Sequence, residues 1–88
     1  MTVANGPLIH ILKGHTGAVT RVAVSSEGLI YSGSDDNTVR VWNPETCNTI
    51  CSLIGHSGTI TSIAVLPDGR VVTGSNDKTL RICSLESA

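Results

Sequence analysis

The chain has 88 residues, which limits it to one small domain that buries about two-thirds of its unfolded surface. A net charge of −1 and a pI near 6.2 argue against nucleic-acid or anionic-membrane partners, which attract basic proteins. Aromatic residues make up only 2% of the sequence, so Val, Ile and Leu must form the core, and β-branched residues favour strands.

The apolar pattern predicts strands along the chain and no helix, because no segment shows helical spacing over ten or more residues. Turn-forming Gly, Pro, Asn and Asp residues separate the short apolar runs. Residues 1–7 lack periodicity and are predicted to form a tail. The predicted strands are residues 8–13, 19–24, 29–33, 38–43, 49–54, 60–65, 70–74 and 79–84.

Two predicted strands carry an apolar residue that is out of phase with its neighbours. In residues 19–24, Val22 and Val24 alternate, whereas Val19 is displaced by one position, and residues 60–65 show the same displacement. A β-bulge adds one residue to a strand and lets all three apolar side chains face one core. We therefore predict bulges at Thr20-Arg21 and Thr61-Ser62.

The second half of the chain repeats the first at an interval of 41 residues. His56 follows His15 by 41 positions, and Asp77 follows Asp36 by the same interval. Residues 72–83 likewise resemble residues 31–42. Four strands in each unit of this length are typical of β-propeller blades.

Ser32, His15 and Asp36 have the residue types of a hydrolase triad. A nucleophilic serine, however, needs exposure, an elbow such as Gly-x-Ser-x-Gly and an oxyanion hole, and the sequence shows none of these features. We therefore do not predict a catalytic serine here, and we expect no enzymatic activity. Ser75-Asn76-Asp77-Lys78 matches the Ser-x-x-Lys pattern of some acylating enzymes, but it lies in a predicted turn rather than on a helix.

The histidines and cysteines predict neither a metal site nor a cofactor. Their spacings do not match those of zinc sites, and no glycine-rich phosphate loop is present. The odd number of cysteines predicts free, buried thiols. These cysteines are Cys47, Cys51 and Cys83.

Four short strings resemble the WD-repeat β-propeller family: Gly14-His15, Ser32-Gly33-Ser34, Asp36 and Val39-Arg40-Val41-Trp42. The resemblance covers residues 8–88. It implies an all-β fold of two antiparallel four-stranded blades, the first of them complete within residues 18–54. The second, within 59–84, lacks its outer strand, and residues 8–13 form an outer strand with no blade of its own. The implied division is a tail at 1–7, the leading strand and first repeat at 8–54, and the second repeat at 55–88.

The resemblance also implies a structural tetrad in which hydrogen bonds run from a tryptophan through a hydroxyl and a histidine to an aspartate. The first repeat supplies His15, Ser32, Asp36 and Trp42, and the second supplies His56, Thr73 and Asp77. Cys83 stands where the second tryptophan is expected. We therefore expect Thr73 to lose its indole donor, at a cost of about 1–3 kcal/mol, and the second blade to be the looser one.

The family places partner-binding residues in the loops at one end of the blades. By position these are Ala18, Thr20, Asp35, Thr59, Thr61 and Asn76. They are small and polar and include none of the Trp, Tyr or Arg anchors of tight interfaces, so an interpretation as ordinary solvated loop residues is equally open. Arg40 and Arg81 are interpreted as packing their stems over a blade and pairing with nearby acids.

The implied function is a non-catalytic scaffold that binds other proteins or peptides, not nucleic acid or membrane. The alternative is a substrate-recognition or adaptor subunit of a complex such as a ubiquitin ligase. Because two blades leave unpaired edges, we expect either a fragment or short form of a larger propeller, or self-assembly of three or four copies. Residues 1–7 do not resemble a secretory signal, so a cytoplasmic or nuclear location is expected.

Overall fold

A computed structural model describes residues 11–84, which form seven strands in two antiparallel sheets and contain no helix. No helix in this part of the chain is therefore long and apolar enough to cross a membrane. The prediction of an all-β chain with one four-stranded and one three-stranded blade is confirmed. The first sheet contains β1 (Val19–Val24), β2 (Ile30–Ser34), β3 (Val39–Asn43) and β4 (Asn48–Leu53), and the second contains β5 (Ile60–Val65), β6 (Val71–Ser75) and β7 (Leu80–Cys83).

The predicted leading strand at residues 8–13 is the one element that differs. Residues 8–10 lie outside the described part, and residues 11–13 form no strand. An outer strand gains its ladder hydrogen bonds only from the edge of a neighbouring sheet. Neither sheet of the described chain pairs with this segment, so it has no ladder to join.

Both predicted bulges are confirmed by the strand register. Val19 pairs with Ser34 and Arg21 with Gly33, which leaves Thr20 as the extra residue of β1. The pairing of β5 with β6 shifts in the same way between Ile60 and Ser62. A third shift, which the sequence did not predict, lies where β3 pairs with β4.

The buried core lies between the two sheets, where β5 packs against β1 and β2. Ile60 is fully buried and would contact any side chain larger than hydrogen at position 33, because a Cβ built on Gly33 lies 2.9 Å from the Ile60 Cβ. Gly33 therefore allows the two sheets to approach closely. The fully buried apolar side chains of this core are Tyr31, Val39, Val41, Ile60 and Val71.

The outward faces of the two sheets remain uncovered. The exposed fractions of Val19, Val22 and Val24 on β1 are 54%, 62% and 62%, and those of Leu80 and Ile82 on β7 are 73% and 62%. The expectation that all three bulged-strand valines face a core is therefore wrong for β1. The bulge orients them together, but no sheet of the described chain covers that side.

Substitution of Ile60 by alanine tests whether the joint between the sheets stabilises the fold. Because Ile60 is fully buried between the sheets, we expect Ile60→Ala to lower the free energy of unfolding by about 2–5 kcal/mol. Ile54→Ala is the matched control, because Ile54 is 80% exposed, and its effect is expected to be within about 0.5 kcal/mol. Urea unfolding followed by circular dichroism measures both. Equal losses would contradict the assignment of the core to this joint.

Candidate functional site

The structure brings His15, Ser32, Asp36 and Trp42 together in one hydrogen-bonded chain, here called the first relay. The Trp42 Nε1–H donates to Ser32 Oγ over 2.8 Å, and Ser32 Oγ lies 2.6 Å from His15 Nε2. His15 Nδ1 lies 2.8 Å from Asp36 Oδ2. The four residues come from β2, β3 and two loops, so the relay connects segments that are distant in sequence.

The chemistry of the groups determines where the protons lie in the first relay. The indole nitrogen of Trp42 can only donate, so the Ser32 oxygen accepts that bond and its own proton is directed to His15 Nε2. His15 Nδ1–H then donates to the Asp36 carboxylate. This order is also that of a catalytic triad, but Ser32 is only 6% exposed and the indole N–H occupies its oxygen.

Asp36 is the end of the relay and holds the loop before β1 against the turn after β2. Its carboxylate accepts hydrogen bonds from the Thr16 N–H at 3.0 Å and from the N–H and hydroxyl of Thr38. Burial raises the pKa of Asp36, but the hydrogen bonds from Thr38, His15 and Thr16 outweigh it and hold the pKa well below its usual range. Asp36 is therefore a carboxylate at neutral pH.

The second repeat forms a shorter chain, here called the second relay. His56 Nε2 lies 2.8 Å from Thr73 Oγ1, and His56 Nδ1 lies 2.9 Å from Asp77 Oδ2. The Thr79 hydroxyl bonds to Asp77 and is the main cause that lowers the pKa of Asp77; burial opposes this shift. Thr73 keeps His56 as a hydrogen-bond partner although Cys83 supplies no indole. Relative to the first relay, the second blade therefore loses mainly the packing of a tryptophan ring, and its Thr73 hydroxyl is not left unpaired.

Arg40 packs on the first relay, a contact that the sequence did not predict. Its guanidinium carbon lies 5.9 Å from the centre of the Trp42 ring, within cation–π range, and its Nη1 donates to Thr49 Oγ1. Within residues 11–84 no acidic group forms an ion pair with Arg40. The expectation that Arg40 pairs with an acid is therefore wrong, because the guanidinium lies over the face of the buried Trp42 ring instead.

The six predicted partner-binding residues lie at one end of the two sheets, here called the loop face. Two backbone hydrogen bonds pair them: the Asp35 N–H donates to Ala18 O, and the Asn76 N–H donates to Thr59 O. The side chains of Ala18, Asp35, Thr61 and Asn76 are exposed, and those of Thr20 and Thr59 are half-buried.

Arg21 connects the two halves of the loop face and was missed by sequence reasoning. Its Nε–H donates to Thr61 O at 2.8 Å and its Nη1–H to Thr20 O at 3.1 Å. The Thr20 hydroxyl donates to Ile60 O, so this predicted binding residue is engaged in joining the sheets. The feature of the sequence that indicates this role is the position of Arg21 beside a predicted bulge, because strand side chains change direction there.

The remaining chemistry-bearing residues do not form a second cluster. Among residues 11–84, no three His, Cys, Asp or Glu side chains are grouped to hold a metal ion. Cys47, Cys51 and Cys83 are free and half-buried, and burial raises the pKa of the Cys51 thiol, with a smaller contribution from Cys83.

Comparison with known proteins identifies both repeats. A family model described as "WD domain, G-beta repeat" matches residues 6–43 and 47–84. The WD40 beta propeller domain of Doa1, a solved structure, superposes with a TM-score of 0.87 at 28% identity, over 92% of this chain and 27% of that one.

Curated relatives match over single stretches. The ribosome biogenesis protein BOP1 homolog of Arabidopsis thaliana is 57% identical over 35 residues, which are 39% of this chain and 5% of the relative. The kinesin-like protein KIF21A of Homo sapiens is 49% identical over 45 residues, 51% of this chain and 3% of the relative. Eukaryotic translation initiation factor 3 subunit I of Aspergillus oryzae is 48% identical over 44 residues, 49% of this chain and 13% of that protein. The chain thus spans a small part of the length of each.

Replacement of Trp42 tests the contribution of the first relay. Trp42 is 2% exposed, so we expect Trp42→Ala to lower the free energy of unfolding by about 3–5 kcal/mol through lost packing and the lost Ser32 bond. The equivalent Cys83→Ala should cost less than about 1 kcal/mol. Thermal and urea unfolding measure both variants. Similar losses would show that the indole is not what distinguishes the two relays.

The low pKa of Asp36 predicts an acid-dependent stability. Because the folded-state pKa lies below the unfolded value, the stabilisation is complete above about pH 4 and is lost as the pH falls towards the folded-state pKa. Asp36→Asn should therefore lose less stability than the parent chain between pH 5 and about pH 3 in urea titrations. Glu45→Gln, at an exposed carboxylate, is the control and should follow the parent. Parallel curves for Asp36→Asn and the parent would contradict the assignment.

Proposed function

Because the chain belongs to the WD-repeat family, we propose that it is a non-catalytic module that binds other proteins or peptides at its loop face. The single observation that supports this proposal is the exposure of Asp35 and Asn76 directly beside the relay carboxylates. Each exposed residue precedes the half-buried Asp of a relay by one position. The relays therefore hold these two side chains in place without contacting a ligand themselves.

The preorganisation of the loop face supports binding over a purely structural role. The Asp35 and Asn76 N–H groups are bonded to the preceding loops, and the Asp36 and Asp77 N–H groups are bonded to Ser34 and Ser75. A rigid surface loses less conformational entropy when a partner binds. Asp35 carries the one charge among the six loop-face residues, which favours a partner with a basic side chain.

The burial of Ser32 argues against a hydrolase. An external carbonyl has to reach a nucleophile, and this hydroxyl is enclosed by His15 and Trp42. A hydrolysis assay with Ser32→Ala as the control separates the two classes. A real activity that disappears in a folded Ser32→Ala chain would support catalysis instead.

The adaptor role in a complex such as a ubiquitin ligase is a narrower form of the same proposal. No contact within residues 11–84 favours it over other protein partners. The cytoplasmic or nuclear location likewise stays a prediction.

The introduction of lysine side chains at the loop face tests the binding proposal. Peptides are selected from a displayed random library against the 88-residue chain, and their affinities are measured by calorimetry. We expect Asp35→Lys and Asn76→Lys each to weaken binding about tenfold or more, because each places a long cation in the binding surface. Glu45→Lys is the control, since it lies in the turn at the opposite end of the first sheet. Selected peptides that bind all three variants equally, or a library that yields no peptide, would overturn the proposal.

A further inference from the structure

The two outward sheet faces are apolar and complementary in position. The leading face, on the first sheet, contains Val19, Val22 and Val24 of β1, of which Val19 and Val22 line a recess of about 180 Å³. The trailing face, on the second sheet, contains Leu80 and Ile82 of β7. Exposed apolar surface of this extent marks an interaction site in a folded chain.

The contact between the two sheets of one chain, here called the internal joint, shows which kind of surface covers such a face. There β5 presents Ile60, Ile63 and Val65 to the side of the first sheet that carries Val39 and Val41. The repeat interval of 41 relates the residues of this joint to those of the two outward faces. The β5 residues have their equivalents 41 positions earlier, on the leading face, and the β3 residues have theirs 41 positions later, on the trailing face. Val19, Val22 and Val24 correspond to Ile60, Ile63 and Val65, and Leu80 and Ile82 correspond to Val39 and Val41.

We propose that the leading face of this chain docks on the trailing face of a second copy, with the geometry of its own internal joint. Both halves of the joint are present on every copy with matching apolar residues. The contact extends an interface that the chain already forms. It involves neither Asp35 nor Asn76, so it is independent of the proposed peptide binding.

The glycine that permits the internal joint also recurs on the trailing face. Gly33 receives Ile60, and Gly74 is the equivalent of Gly33 one repeat later. A Cβ at Gly74 would clash with the hydroxyl of Ser62 and would lie 3.3 Å from Leu80 Cδ2, both in its own sheet. Val19 of a second copy is the equivalent of Ile60, so it can approach Gly74 once the Ser62 hydroxyl turns away from that position.

Polar groups at the joint make the match between copies partial. In the internal joint the Thr20 hydroxyl donates to Ile60 O and the Arg21 Nε–H donates to Thr61 O. One repeat later Thr61 can make the first bond to Val19 O of a second copy. Ser62, however, stands in place of Arg21 and is too short for the second bond. The joint between copies is therefore weaker than the internal one.

Head-to-tail contacts close into a ring when the rotation per copy divides a full turn, and otherwise they extend into a filament. Propellers have typically four to eight blades, so a chain that supplies two blades closes a ring of two to four copies. A face-to-face dimer is the alternative geometry. It would place two leading faces or two trailing faces together, for which the internal joint offers no precedent.

A complementation experiment distinguishes these geometries in the 88-residue chain. Val22→Lys blocks the leading face and Ile82→Lys blocks the trailing face, at side chains that are each 62% exposed. Sedimentation velocity should give a discrete multiple of 9.2 kDa for the parent and monomers for each variant alone. An equimolar mixture should form a 1:1 complex, since one free leading face meets one free trailing face. Ile54→Lys, outside both faces, is the control and should assemble like the parent.

Each other outcome overturns the proposal. A parent chain that is a compact monomer, a single variant that still self-associates, or a mixture that forms no complex is inconsistent with head-to-tail docking. If the variants unfold when separate, circular dichroism of the mixture decides: recovery of the β-sheet signal in a 1:1 complex supports docking, and no recovery contradicts it. Ser62→Arg supplies the missing donor and should tighten association about tenfold. Unchanged or weaker association would show that the internal joint is not the template.

Discussion

The structure depends on one constraint: an apolar sheet face is stable only when another sheet covers it. Within residues 11–84 the constraint is met once, where Ile60 enters the space above Gly33 and packs against Val39 and Val41. The bulge in β5 matters because it turns three apolar residues to that side. The same bulge in β1 turns three valines to a side that no sheet of the described residues covers. Identical local structure thus produces a core in one repeat and an exposed face in the other.

The relays act at a different level from the joint. Each relay connects the loop before a sheet with its middle strands, through His15 to Asp36 in one case and His56 to Asp77 in the other. The relays therefore shape the loop face, whereas the joint holds the sheets together. In this chain the residues that shape the exposed loops are therefore different from the residues that pack one sheet on the other. Trp42 is exceptional in serving both the first relay and the packing under Arg40.

Residue types alone do not identify catalysis in this protein. Serine, histidine and aspartate stand in the order of a charge-stabilised nucleophile, and here they form a hydrogen-bonded chain that connects β2 with two loops. The decisive facts are the burial of Ser32 and the indole N–H bonded to its oxygen. The second property depends on Trp42, which lies ten residues away in sequence and diagonally across from Ser32 on the neighbouring strand, where it pairs with Ile30.

The sequence by itself determined the seven strands and both predicted bulges, because a repeat interval of 41 exposes each local pattern twice. The residues of the relays followed from the resemblance of the sequence to the WD-repeat family. Only the tertiary structure decided which bulged strand is buried, what Arg21 and Arg40 contact, and that residues 11–13 form no strand. These outcomes depend on what lies beside an element in space. Local sequence specifies the direction in which a side chain points, but the presence of a neighbouring sheet specifies whether that direction leads to a core or to water.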